Sequence, residues 1–561
     1  MTETAEKSDG CTAARAAHHR TSRIKILWEY LILLFFLVVV LAVKSPTLSA
    51  PAYWDEIEYS VPLARLILNN NFNPFIGEAM IHPPLLYEIL AANLYLFGTS
   101  YVAMRAAIAV FAFLAVFFTY LLGREIYNKK VGIIAALLLL FTPLFFAQGG
   151  LLLDGVPAAA LAIMSFYFLY KKSNIAYLVS ATALVLVKEI GVLFVVGLFL
   201  AYFVKNYKTS FLNMLDTLSL IIFPVAAFVL WLAMNKLYFG WHISPILMRA
   251  NVSSISFAYA SLNLLRILKL VLFDNFHWVL TAIALLCATS VNSLKRLIWN
   301  KINILYFMLA LGLLFLLNDK IFIINAVQSI YYFSNFAAYA DTVYDYKFYF
   351  AFLLFFALVV KSELKTKYIN TKILCFVSPS FVFIFLLAFM PFTERYFLLL
   401  LPFYFIIVAE GVVSLFRKPF YTIAACSVVI ILFVVLYSPI RAFHGGMETN
   451  MEYFEFVKSN KQASVFLERN YKDYAILVPY RSYLKFQLTD PIYGYVSAPL
   501  NTIRVADIRT ISEDDFDLLL SDPFMRKEDK DYLVSAFDLT LIKSFNNKGK
   551  VLELYKKQGI K

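Results

Sequence analysis

The chain has 561 residues, 61% of them hydrophobic and 16% charged, with a mean hydropathy of +0.72. A water-soluble domain cannot bury that much apolar surface, so lipid is the solvent for most of it. The net charge of +13 does not mark a nucleic-acid partner, because Lys and Arg fall in short runs between apolar stretches rather than in one stripe.

Residues 1–25 form a polar leader with His18, His19, Arg20, Arg23 and Lys25, expected on the cytoplasmic side. Residues 26–43 then run apolar with Glu29 as their one charge, close to the roughly 20 residues that a hydrocarbon layer demands. No small-residue cleavage site follows, which predicts an uncleaved signal anchor. Further along, Arg124/Lys129/Lys130, Lys171/Lys172, Lys205/Lys208, Lys295/Arg296/Lys301, Lys361/Lys365/Lys367 and Arg417/Lys418 each separate two hydrophobic segments. The positive-inside rule places such loops in the cytoplasm. Counting spans against them gives about thirteen transmembrane helices over residues 26–440, starting inside and ending outside.

Residues 441–561 lose hydrophobicity and alternate charges with aromatic residues, which predicts an extracytoplasmic α+β domain. Within it 475–480 and 539–545 read as strands, Asn546-Asn547-Lys548-Gly549 as a hairpin turn into 551–555, and the acidic stretch 512–532 as a helix. Cys11 lies in the leader and Cys287, Cys375 and Cys426 in apolar segments, so no disulfide framework or metal spacing exists. Asn251-Val252-Ser253, in a long external loop, is a glycosylation triplet, informative only in a host that glycosylates that face.

The external loops hold the chemistry. The first, about residues 44–84, carries Tyr53-Trp54-Asp55-Glu56-Ile57-Glu58-Tyr59, three carboxylates beside three aromatic rings. Aromatic residues belong at an interface and acids are cheap in a wet loop, so a solvated juxtamembrane helix is the plain alternative. Asp154 sits in a short external turn, where an unpaired carboxylate at membrane depth costs about 2.5 to 3.5 kcal/mol. Lys188-Glu189 repeats that arrangement at the next external turn, although two adjacent opposite charges also snorkel or pair locally. Glu394-Arg395-Tyr396 is a third such corner, and Arg105 lies near the start of a span. Acids and cations thus converge on one face of the bilayer, as a buried polar cavity for a charged headgroup requires.

Asp55-Glu56 after the first span, His82-Pro83-Pro84-Leu85, Arg105, Asp154, Lys188, and Arg395-Tyr396 before Leu400-Leu401-Pro402 follow a familiar order. In that order the chain resembles the hydrophobic GT-C glycosyltransferases, most closely the branch of the protein O-mannosyltransferases and the aminoarabinose-lipid A transferases. The resemblance covers roughly residues 26–440, by motif order and span count. In the aminoarabinose transferases an arginine usually follows the acidic pair by two residues and a lysine precedes the double proline. This chain has Glu58 and His82 there, which favours the broader mannosyltransferase-like membership.

The resemblance implies transfer of a sugar from a polyprenyl-phosphate donor to an acceptor hydroxyl on a lipid, glycan or protein. That chemistry needs a base for the hydroxyl and charge stabilisation for the departing phosphate. Asp55 is the expected general base, Asp154 is expected to orient acceptor or sugar, and Glu56 either to do the same or only to hydrogen-bond within the loop. Lys188, Arg105 and Arg395 are expected at the donor phosphate, and His82 either there or only as part of the rigid approach to the next helix. Glu58, Tyr59, Glu189, Glu394 and Tyr396 are expected to position substrate. No cofactor is assigned; a divalent metal is compatible with the paired carboxylates, but no spacing marks a site for one.

Two other classes compete. A transporter or flippase of a charged lipid or solute also gathers charge within a membrane, but on broken helices at the midplane of repeated halves. A scaffold whose external tail does the work would need only one span as an anchor.

Overall fold

The computed structural model describes residues 27–75, 82–206, 211–245, 394–416, 418–437, 447–479 and 483–558, with short stretches between 260 and 267 and between 380 and 388. Helices α1 (Leu27–Leu48), α4 (Tyr101–Ile126) and the 218–239 part of α10 (Phe211–Phe239) are long and apolar enough to cross a membrane. The 26 residues of α4 reach about 39 Å at 1.5 Å per residue. Between and after them lie shorter apolar helices: α5 (Lys129–Phe141), α6 (Pro143–Gln148), α7 (Gly155–Tyr170), α8 (Asn174–Val187), α9 (Gly191–Asn206), α11 (Leu401–Leu415) and α12 (Pro419–Tyr437). Many of the expected thirteen spans, the basic runs around Lys295 and Lys361, and the Asn251 triplet lie outside the described residues.

Local sequence fixes where these helices start. The Ser100 hydroxyl accepts from Ala103 N at 3.4 Å to begin α4, and the Asn128 side chain accepts from Val131 N at 3.1 Å to begin α5. α4 and α5 cross where each has a glycine: a Cβ on Gly123 would lie 2.9 Å from Gly132 Cα, and one on Gly132 only 2.4 Å from Tyr120 O. Backbone contact of that kind lets dispersion hold helices together in lipid, where burial of apolar surface gains little. Phe36, Tyr120, Leu184, Phe194 and Phe405 belong to the resulting buried cluster.

Charge separates the two ends of this bundle. Glu29 pairs with Arg124 and, at 3.2 Å, with Lys129, while Glu125 pairs with Lys171 at 3.2 Å. These are the basic loops expected in the cytoplasm. Arg105, nineteen residues before Arg124 on the same helix, lies about 28 Å away along the axis at 1.5 Å per residue.

Near the Arg105 end, a π-helical turn (Glu56–Ser60) runs into α2 (Val61–Asn69), followed by α3 (Leu85–Phe97). Beyond α12 the chain forms α13 (Glu452–Asn470), α14 (Leu484–Thr489), α15 (Lys527–Ala536) and five strands: β1 (Ile476–Val478), β2 (Thr502–Arg504), β3 (Leu518–Ser521), β4 (Leu539–Asn547) and β5 (Lys550–Lys557). The sheet order is β2-β1-β3-β5-β4, with β1 parallel to β2 and β3, and β5 antiparallel to β3 and β4. The turn through Lys548 and Gly549, both at positive φ, closes the expected β4–β5 hairpin.

The acidic helix expected over 512–532 is not what forms. A 3-10 turn (Glu513–Asp515) precedes β3, and the helix α15 begins only at Lys527. Leu518, Leu519 and Leu520 are buried between β1 and β5, and Pro523 follows directly. A central strand position outweighs the helix preference of the surrounding acids.

The sheet region and the first loop share one hydrophobic cluster, including Tyr53, Ile57, Tyr453, Phe456, Tyr495 and Leu554. Ala52 N donates to Tyr493 O at 3.0 Å, Tyr495 OH donates to Ala52 O at 2.8 Å, and Arg65 pairs with Asp490 at 2.9 Å. The first loop is therefore clamped by residues more than four hundred positions later.

Candidate active site

Asp55 is aimed by its neighbour. Trp54 adopts a left-handed backbone with φ of 45°, a conformation that costs a non-glycine residue of order 1 to 3 kcal/mol and persists only when its surroundings fix it. Here Tyr483 and Phe524 fix it, with ring centroids 5.3 and 5.6 Å from the Trp54 ring. Beside it, Glu58 accepts from Tyr59 OH at 2.9 Å and from Tyr483 OH at 2.6 Å. Glu58 and Tyr59 thus tie the loop to the sheet region.

The adjacent carboxylates Asp55 and Glu56 then part company. Glu56 is fully buried and accepts from Tyr53 N and Leu152 N, each at 2.6 Å, and from Arg105 at 3.0 Å. Arg105, 1% exposed, spends its other donors on the carbonyls of Ala50 at 3.3 Å, Pro51 at 3.1 Å and Gly150. That knot is closed to substrate.

Asp55 turns instead to Arg395, at 2.5 Å. Arg395 comes from the 3-10 helix Glu394–Leu399 that leads into α11, with Glu394 opening it and Tyr396 following. The same Nη1 atom of Arg395 lies 3.5 Å from Glu448 Oε2. Gln148 Nε2, at the end of α6, donates to Glu448 O at 3.1 Å and lies 3.5 Å from its carboxylate. Glu448 and Gln148 are the members that sequence reasoning missed. The available signal was an acid just past the last expected span, the counterpart of Asp55 just past the first.

Asp154 immediately precedes α7 and Lys188 immediately follows α8, so each charge faces the helix end that favours it. They meet at 2.5 Å, with Lys188 1% exposed and its ammonium 4.8 Å from the centre of the Tyr396 ring. Glu189 pairs instead with His82 Nδ1 at 3.0 Å, joining the first loop to the α8–α9 turn. A Cβ on Gly155 would come 3.8 Å from Arg395 O, so the start of α7 abuts the Arg395 turn.

Electrostatics couple these groups. Burial opposes ionisation of Asp154, but Lys188, then His82 and Arg395, outweigh it and hold its carboxyl below the usual range. Burial likewise opposes the charge on Glu189 and is outweighed by His82. His82 is pushed up: burial works against its proton, and the charge and hydrogen bond of Glu189 prevail. Arg395 is pushed up against burial by Asp55 and Glu448. Glu448 alone among these acids is pushed up, by burial first, with Arg395 opposing and Asp55 adding.

Of the expected site residues the structure therefore gathers Asp55, Asp154, Lys188, Glu189, His82, Arg395 and Tyr396, and sets Glu56 with Arg105 in a separate sealed knot. The side chains of Asp55, Arg395, Glu448, His82 and Glu189 each keep between 15% and 22% exposure, so the cluster opens to solvent. Among the described residues, Arg395 Nε and Gln148 Oε1 are buried without a hydrogen-bond partner. Among those same residues, no group of three or more His, Cys, Asp or Glu converges as a metal-ligand set.

Residues 81–233 match the family model described as dolichyl-phosphate-mannose-protein mannosyltransferase, a segment that holds His82, Arg105, Asp154, Lys188 and Glu189. No curated protein matches the chain. Among solved structures, ArnT from Cupriavidus metallidurans bound to undecaprenyl phosphate is 12% identical over 94% of this chain and 98% of that one, with a TM-score of 0.44. The Archaeoglobus fulgidus oligosaccharyltransferase in complex with Zn and sulfate is 12% identical over 87% of this chain and 68% of that one, with a TM-score of 0.40. The Archaeoglobus fulgidus oligosaccharyltransferase AglB, with an inhibitory peptide and a dolichol-phosphate, is 11% identical over 94% and 75%, with a TM-score of 0.39. The family match supports the resemblance to the mannosyltransferase branch of the GT-C glycosyltransferases.

Proposed function

We propose that this chain is a multi-pass membrane glycosyltransferase that moves a sugar from a polyprenyl-phosphate donor to an acceptor hydroxyl on the extracytoplasmic side, with inversion. The observation that carries the reading is the open Asp55–Arg395 pair beside the Lys188–Asp154 and His82–Glu189 pairs. A carboxylate for the acceptor proton and three cationic groups for a phosphate stand together there, at the other end of the bundle from the basic loops. The family match over residues 81–233 supports the donor class, a sugar carried on a lipid phosphate.

In this reading the acceptor oxygen attacks C1 of the sugar opposite the phosphate, its proton passes to Asp55, and the C1–oxygen bond breaks with its electron pair leaving on the lipid phosphate. Lys188 and Arg395 meet the growing phosphate charge, Arg395 through donors such as the buried Nε, and His82 adds a proton-bearing nitrogen. Asp154 holds Lys188 in place, and Glu189 does the same for His82. Tyr396 lies under the Lys188 ammonium, with Glu394 two residues before it in the same turn. Glu56 and Arg105 serve by fixing the loop that carries Asp55.

The test is a pair of measurements. Mass spectrometry of lipid-linked sugars that accumulate without the protein names the donor, and purified Asp55→Asn is assayed with it. Loss of the general base lowers kcat about 10²- to 10⁴-fold with donor binding kept. Near-normal turnover would move the base elsewhere, and accumulation of a solute without any lipid-linked sugar would favour a transporter.

A further inference from the structure

The Asp55 carboxylate poses a difficulty as a base. Its Oδ2 oxygen lies 2.5 Å from the Arg395 guanidinium, so the atom that would take the acceptor proton is already occupied by an ion pair. An acceptor hydroxyl can reach that oxygen only if Arg395 has somewhere else to go. The structure supplies that place: Glu448 Oε2 lies 3.5 Å from the very Nη1 atom that Asp55 holds, and Arg395 Nε has no partner among the described residues.

We propose that Glu448 is a positioning residue that draws the Arg395 guanidinium away from Asp55 during turnover and so frees Asp55 to accept the acceptor proton. The inference rests on the reading of Asp55 as the base. Glu448 is built for the role, because Gln148 holds both its backbone carbonyl and its carboxylate from the end of α6, leaving one side of the carboxylate toward Arg395. Lys188, Asp154 and the phenols of Tyr53, Tyr59, Tyr87 and Tyr483 also face this group, and Lys188 and Asp154 are engaged with each other. A small rotation of one guanidinium between two carboxylates requires no movement of the backbone, and the lost Asp55 contact is exchanged for another of the same kind. The carboxyl of Glu448, already raised by burial and by Asp55, is relieved when Arg395 closes on it.

The experiment compares Glu448→Gln, Glu448→Asp and Asp55→Asn in purified full-length protein supplied with its lipid-linked sugar. Glu448→Gln removes the competing charge, so Arg395 stays on Asp55. The acid limb of the kcat/KM profile then moves to lower pH while kcat falls about tenfold or more, with donor KM close to the parent value. Glu448→Asp, with the carboxylate drawn back by one methylene, moves the limb the same way by less. Where Glu448→Gln does not yield folded protein, Glu448→Asp alone carries the test. An unmoved acid limb in the folded variants overturns the proposal, whether or not kcat falls, since a merely structural role lowers the amount of active protein without changing the pH at which the base titrates. If Asp55→Asn keeps its turnover, the base reading itself fails; if it is inactive while Glu448→Gln behaves as the parent, only the role of Glu448 fails.

Discussion

Replacing Lys188 with methionine separates what this side chain does for the fold from what it does for a phosphate. The Lys188 ammonium is 1% exposed and 2.5 Å from Asp154, whose side chain is itself only 9% exposed. At an effective dielectric of about 20, opposite charges at that distance attract by roughly 7 kcal/mol, most of which offsets their desolvation. Methionine keeps the apolar stem over Tyr396 but leaves Asp154 buried without its partner, a loss of about 3 to 5 kcal/mol for a broken buried pair. Because His82 and Arg395 still act on Asp154, the lower end of that range is expected. Adding Asp154→Leu removes the stranded charge, and an apolar pair of similar shape is close to neutral. Thermal melting in detergent should therefore rank the parent and the double variant above either single change. Donor kinetics of the well-folded double variant then report function: loss of a phosphate contact worth about 1.5 to 3 kcal/mol raises donor KM roughly ten- to a hundredfold. The reasoning is refuted if the destabilisations simply add in the double variant, because contacting residues that share a buried charge must couple.

Arg105→Met should strand Glu56 in its sealed knot, at about 3 to 5 kcal/mol, and show as little folded protein in detergent extracts rather than as a folded enzyme with weak donor binding. For His82 the pKa is raised in the folded chain, so its pairing with Glu189 stabilises fully below the ordinary value of 6.5 and is lost as pH rises through the folded value. The melting midpoint should fall as pH increases above that point, and His82→Gln should flatten the fall. In a cysteine-free background, Asn501→Cys in the sheet region should react with an impermeant thiol reagent added outside intact cells, and Ser173→Cys beside Lys172 should not. Labelling in the reverse sense would overturn the assigned orientation.

Basic runs alternating with acid-bearing corners set Asp55, Asp154, Lys188 and Arg395 on one expected face, and the structure pairs Asp55 with Arg395 and Asp154 with Lys188. That pairing was not legible in the sequence. For Lys188 and Glu189, adjacent and opposite in charge, local pairing was one open reading, yet Lys188 has an extended backbone with φ of −151° and ψ of 131°. Successive side chains on extended backbone point to opposite sides, so one reaches Asp154 across the α7–α8 hairpin and the other His82, 107 residues earlier. Arg105 and Glu56 illustrate a second limit. A motif shows which charges lie at one face of the membrane, but whether each faces a cavity or a backbone turn depends on carbonyls such as those of Ala50, Pro51 and Gly150, which carry no signature in sequence. Glu448 was hidden for a third reason, since it reaches Arg395 from a short 3-10 turn with no apolar periodicity around it.

The clasp on Trp54 bears on how the protein is made. Asp55 leaves the ribosome early, whereas Tyr483 and Phe524, which hold the strained residue before it, are more than four hundred positions downstream. At roughly 5 to 20 residues per second, the first loop waits about 20 to 90 seconds for its clasp to be synthesised. Throughout that interval the chain has its acid but nothing to aim it. The geometry around Asp55 is thus completed by the last fifth of the chain, after all the described apolar helices have been synthesised.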